Sequence, residues 1–131
     1  MAKEFTYKGK TLEELKKMDL KELAVILPSR ARRSINRGFT EAQKKFLKNI
    51  DRAIKEDSKK PVKTHCRDML ILPKMVGLKI SIHNGKSFVL TEIPQEAIGM
   101  YLGELVQTRT KVGHSSPGVG ATRSSSALSV R

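Results

Sequence analysis

Forty consecutive residues, 28–67, carry thirteen Lys and Arg against four Asp and Glu, a net +9. Charged side chains almost never enter a core unpaired, so this stretch can bury only the apolar residues spaced between its cations. A helix formed here must be amphipathic, with one face turned to solvent. The rest of the chain differs. Residues 1–27 are net +1, residues 68–108 net −1, and 109–131 hold four basic residues and no acidic one. The whole chain of 131 residues carries +13, an excess that repels itself and attracts polyanions. A nucleic-acid footprint accounts for so dense an Arg-rich block better than solubility does.

Other classes fall away on simple grounds. The length suits about one domain. The longest aliphatic run is Leu23–Leu27, far short of the ~20 residues a membrane span needs. The opening MAKEFTYKGK lacks the apolar stretch of a secretory signal. Cys66 is the only cysteine, which rules out an intrachain disulfide and leads us to expect a reducing, cytoplasmic compartment.

Capping signals and periodicity predict the elements. Thr11 to Glu14 reads as a capping box ahead of a stripe of Leu12, Leu15 and Met18. Asp19 to Glu22 repeats the signal before Leu23, Ala24, Ile26 and Leu27, and Pro28 closes this nearly neutral helical pair. Ser29 can cap a short Arg-rich helix that Gly38 ends. Thr40 to Gln43 forms a second box, opening the longest helix, to about Asp57. Its stripe is Ala42, Phe46, Ile50 and Ile54, widened by Leu47 and Ala53, with Lys44, Lys45, Lys48, Arg52 and Lys55 turned outward.

Leu78 to His83 alternates apolar and polar residues, and Asn84-Gly85 predicts a type I′ hairpin turn. With those two residues as the loop, Ile82 faces Ser87 and Ile80 faces Val89. Lys79, His83, Lys86 and Phe88 then share the other face. A lone hairpin is marginal, so residues 62–67 are assigned as a third strand. Residues 93–105 follow as a short helix with Pro94 at its start. The tail, 109–131, is rich in Ser, Thr and Gly, offers little to bury, and is expected to be disordered in isolation.

The pattern is poor in catalytic chemistry. His65 and Cys66 are adjacent, but neighbours on a strand point to opposite faces, which disfavours a thiol–imidazole pair. One Cys with His65, His83 and His114 does not make the spaced pairs of a zinc site. The glycines of 113–120 lack the Gly-Lys-Ser/Thr ending of a phosphate loop. The acidic residues are scattered. We therefore expect no enzyme, no cofactor and no metal.

A second set of residues carries a family likeness. Asn84, Gly85 and Lys86, then Ile93, Ile98-Gly99, Leu102 to Glu104 and Thr108 resemble the signature of the small-subunit ribosomal protein nineteen family, with Leu105 standing where an aromatic is usual. Arg33–Gly38, Thr64–Met69, Leu72–Gly77 and Gly118–Ser125 resemble its archaeal and eukaryotic branch. The resemblance extends from about residue 5 to 126. It implies a non-enzymatic α+β protein with a small three-stranded mixed sheet packed with helices. It further implies binding to the 3′ domain of small-subunit rRNA in the subunit head, beside ribosomal protein thirteen and near the A-site tRNA. The tail would then reach toward tRNA and mRNA at the decoding region.

The expected organisation is a helical extension (1–28), an RNA-binding α+β core (29–108) and a flexible basic tail (109–131). Arg30, Arg32, Arg33, Arg37, Lys63, Arg67 and Lys86 form the expected clamp on RNA, because Lys and Arg displace counterions from phosphates. Lys60, His65, Lys79, His83 and Asn84 extend this candidate set across the sheet, and Arg109, Lys111, His114 and Arg123 extend it along the tail. The composition alone leaves open a free-standing nucleic-acid-binding protein that compacts DNA or regulates. A membrane-surface protein fits worst, because the apolar face of helix 40–57 is narrow.

Overall fold

In the computed structural model, which describes residues 4–113, Gly118 and Arg123, the chain folds as α+β. A two-residue antiparallel pair, β1 (Thr6–Tyr7) and β2 (Lys10–Thr11), leads into α1 (Leu12–Lys17) and α2 (Leu20–Ile26). The Thr11 box forms as expected: the Thr11 N–H donates to the Glu14 carboxylate at 3.0 Å, and the Glu14 N–H to Thr11 Oγ1. Asp19 Oδ1 accepts the Leu20 N–H at 2.8 Å and caps α2.

The Arg-rich helix, α3 (Ser29–Arg37), starts one residue earlier than Ser29 capping would allow. Pro28 is the cap residue, and its carbonyl accepts the Arg32 N–H at 2.9 Å. Its fixed φ suits that place and leaves Ser29 inside the first turn. Gly38 ends the helix at φ 83° and ψ 168°, a conformation open to residues without a Cβ.

The longest helix, α4 (Glu41–Lys55), opens on the Thr40–Gln43 box. Its buried residues are Gln43, Phe46 and Ile50, whereas Ala42 is exposed and Ile54 is 45% exposed. A strict four-residue step gains roughly 40° per step on a 3.6-residue helix, so it rolls off the core at both ends.

Strands β3 (Val62–Thr64), β4 (Lys79–His83) and β5 (Phe88–Glu92) form a sheet in that order, β3 parallel to β4 and β5 antiparallel to it. The hairpin register is two residues away from the expected one: Ile82 pairs with Val89, Ile80 with Thr91, and His83 with Phe88. Gly85 alone takes a positive φ, 98°, so the turn is not type I′ with Asn84 at its first central position. Asn84 acts through its side chain instead. Its Oδ1 accepts the N–H groups of Lys86 and Ser87, and its own N–H donates to the Ser87 carbonyl, moving the tip of the loop one residue on. Because the register shift is even, each side chain keeps its expected face, while Lys86 moves into the turn.

Residues 93–105 do not form one helix. They make two 3₁₀ turns, Gln95–Ala97 and Leu102–Leu105, separated by a segment that pairs with residues 69–71. The N–H groups of Gly99, Ile71 and Leu102 donate to Ile71, Met100 and Met69 carbonyls respectively. Backbone groups satisfied across the chain in this way cannot also close helical turns.

One core cluster joins all parts. Leu15, Leu23 and Leu27 from the first two helices share it with Phe46 and Ile50 of α4, Met69–Leu72, Ile80 and Ile82 of β4, and Ile93 and Leu102. α3 and α4 pack Ala31, Ile35, Phe46 and Ile50 into this core and turn their cationic faces outward.

Candidate nucleic-acid interface

The helical flank is where exposed positive charge gathers. Arg30, Arg33 and Arg37 of α3 are exposed, as are Lys44, Lys45, Lys48, Arg52 and Lys55 of α4. Among the described residues the ion pair found is Lys74–Asp51, at 2.7 Å, and it involves none of these cations. The α3 arginines line one open depression together with Ser29 and Asn36. Arg52, Lys60 and Lys63 line a second one together with Glu56, where α4 ends and β3 begins. The sequence turned the α4 cations outward without counting them in the candidate set. The charge block 28–67 was the signal that could have included them.

Two members of the candidate set are engaged elsewhere. The Arg32 guanidinium donates to the carbonyls of Ala24 at 3.0 Å, Val25 at 3.1 Å and Leu27 at 3.4 Å. These lie at the C-terminal end of α2, which has no basic residue in its own last turn. Lys8 Nζ takes the Ile26 carbonyl at 2.7 Å. Two cations from outside the helix thus satisfy its orphan carbonyls and its negative end.

Arg67 is more deeply committed. Its guanidinium donates to the carbonyls of His83, Gly103 and Val106, each at 2.7 Å, while its own carbonyl accepts the Gly103 N–H at 2.9 Å. It ties the end of β4 to the final 3₁₀ turn. The planar fork, with donors pointing several ways, suits such a junction better than a Lys ammonium would.

The sheet carries the remaining candidates. Lys63, His65 and His83 share one face with Phe88. Lys79 lies at the far end of that face, paired in register with Glu92. Asn84 holds the turn through Oδ1, and Lys86 stands exposed in it. Arg109, Lys111 and Arg123 are exposed, and His114 lies outside the described residues.

Cys66 packs half-buried against the core, and its N–H donates to Thr64 Oγ1, whereas the neighbouring His65 ring sits on the outer sheet face. Among the described residues no group of three or more His, Cys, Asp or Glu is disposed to hold a metal ion.

The residues behind the family likeness are scaffold. Ile93, Ile98 and Leu102 are buried. Gly99, at φ 86°, lies where a Cβ would come 3.0 Å from Leu27 Cδ2 and 3.3 Å from the Tyr7 hydroxyl. At Gly103 a Cβ would come 3.0 Å from the Arg67 carbonyl oxygen. The Glu104 carboxylate accepts the Tyr101 N–H, and Leu105 packs half-buried on the core. The pattern therefore specifies how the Arg67 junction and the hairpin are built.

A family model described as ribosomal protein S19 matches residues 33–114, well over half of the chain. The matched span runs from the second turn of α3 through α4, the sheet and the Arg67 junction. The chain belongs to the ribosomal protein S19 family, structural rRNA-binding proteins of the small ribosomal subunit.

Proposed function

We propose that this chain sits in the head of the small subunit, on the 3′ domain of its rRNA, beside ribosomal protein thirteen and near the A-site tRNA. The observation that carries the reading is the exposed cationic flank of α3 and α4 on a block whose family binds rRNA. Exposed guanidiniums and ammoniums release counterions from phosphates, and a rigid carrier fixes which phosphates they reach. Folded RNA is recognised largely through its backbone, shape and unpaired bases, which such a surface can follow. Residues 29–108 act as the RNA-binding unit and 1–28 as a helical extension, in a protein of the archaeal and eukaryotic type. The role is structural and non-enzymatic, exercised on the cytoplasmic ribosome without cofactor, membrane or small-molecule substrate. Residues 109–131, holding Arg109, Lys111, Arg123 and Arg131, extend toward tRNA and mRNA.

Cross-linking within small subunits that have incorporated the tagged full chain tests the placement. Cross-links should fall in the 3′ domain of the rRNA and on ribosomal protein thirteen. Cross-links confined to the body of the subunit would overturn it. Truncation from Gly113 onward should still allow incorporation while weakening A-site tRNA binding. Lost incorporation would make the tail an assembly anchor instead.

A further inference from the structure

The outer face of the three-stranded sheet holds a ring cluster at its hairpin end. The His65 and His83 ring centroids lie 4.3 Å apart, and Phe88 stands edge-on to both, at 5.0 and 4.9 Å. The register accounts for the grouping. His83 and Phe88 are direct cross-strand partners, and His65 follows the parallel strand that pairs Thr64 with Ile82. Lys63, two residues before His65, holds its ammonium 5.5 Å from the Phe88 ring centroid. His83 is fixed in orientation, because its Nδ1 accepts the Gly85 N–H at 3.0 Å.

Cross-strand packing explains the His83–Phe88 pair. It does not cover the cluster. His65 is exposed, Phe88 is 40% exposed, and Leu90, further along the same face, is 58% exposed. The result is a solvent-facing ledge of π-systems with an aliphatic edge, next to the depression that Arg52, Lys60 and Lys63 line together with Glu56. Aromatic faces beside backbone-tracking cations are the combination that holds unpaired nucleotides, because every base offers a π-face and every nucleotide a phosphate.

We propose that His65, His83 and Phe88 form a stacking subsite for one unpaired rRNA nucleotide, with Lys63 positioned for its phosphate. The inference rests on rRNA binding by this chain and specifies a contact within it. The base stacks on the ring cluster, while the arginine flank of α3 engages phosphates elsewhere.

The test compares two double variants of the full chain by filter binding to transcribed small-subunit rRNA across a salt series. H65L/F88L removes two π-faces and keeps apolar bulk, whereas H65F/F88Y keeps rings. H65L/F88L should bind about tenfold more weakly or worse at every salt concentration, with an unchanged salt slope, since no phosphate-bound cation is lost. H65F/F88Y should stay close to the parent. Lys63→Gln should instead flatten the slope by about 0.7–0.9. Parent-like binding by H65L/F88L overturns the subsite. Equal weakening of both double variants also overturns it, since the cluster would then serve to hold the sheet. A parent chain that binds unrelated RNA of equal length as tightly would overturn rRNA recognition itself, and the subsite with it.

Discussion

On α3, Arg33 and Arg37 stand in solvent, in no ion pair among the described residues, while thirty residues on Arg67 is wrapped by three main-chain carbonyls. The side-chain chemistry is the same, but the surroundings differ. On the α3 flank the guanidiniums of Arg30, Arg33 and Arg37 are exposed to solvent, where an external polyanion can reach them. The junction around Arg67 brings the carbonyls of His83, Gly103 and Val106 to one point, and a cation there satisfies groups that would otherwise be left without donors. Arg32 stands between the two cases: it sits on the exposed helix, yet its donors close the end of α2. Positive charge in this chain therefore divides into a part exposed to solvent and a part that satisfies main-chain carbonyls.

The division is most exposed to failure at Arg67. Arg67→Gln removes charged donors from three carbonyls and should destabilise the fold by about 3–5 kcal/mol. Urea unfolding of the full chain reads this directly, and a loss below about 1 kcal/mol would erase the contrast with α3. Gly99→Ala comes next, at about 2–3 kcal/mol, because the new Cβ meets Leu27 at 3.0 Å and the backbone holds φ 86°. Gly85→Ala is its control: φ is also positive, but nothing lies within 4 Å, so only backbone strain of about 1–2 kcal/mol remains.

Within α3 the contrast sharpens to a single step. Arg32→Gln should lower the unfolding free energy by about 1–2 kcal/mol through the α2 carbonyls, while Arg33→Gln should stay within about 0.5 kcal/mol. Matched thermal melts of the two variants would settle whether adjacent arginines really have separate roles. The smallest effect on stability belongs to the triple variant R30Q/R33Q/R37Q, which should melt with the parent. Its rRNA binding should nevertheless lose about 0.7–0.9 of salt slope for each phosphate contact removed. A changed melting temperature with an unchanged slope would assign these arginines to the scaffold.

Much of the architecture was legible because its causes are local. The boxes at Thr11 and Thr40 depend on a residue three positions away, and both form as the sequence predicts. The outward turn of the α4 cations follows from helical periodicity, and the even register shift left the sheet faces as alternation assigns them. The hairpin register itself was misread. Asn84-Gly85 signals a turn, but the pair does not say whether Asn84 serves it through backbone or through Oδ1.

By itself the sequence determined the charge block, the helix starts at Thr11, Asp19 and Thr40, and the family likeness with the α+β class it implies, since each depends on residue type and short spacing. Tertiary structure decided which cations are free. Arg67 finds its acceptors 16, 36 and 39 residues away, and the rings of His65, His83 and Phe88 meet only across three strands. It also broke the expected helix over 93–105, where residues 69–71 supply a competing set of backbone partners. A side chain's donors act on whatever the fold places within about 3 Å, and that neighbourhood is a property of the whole chain's path.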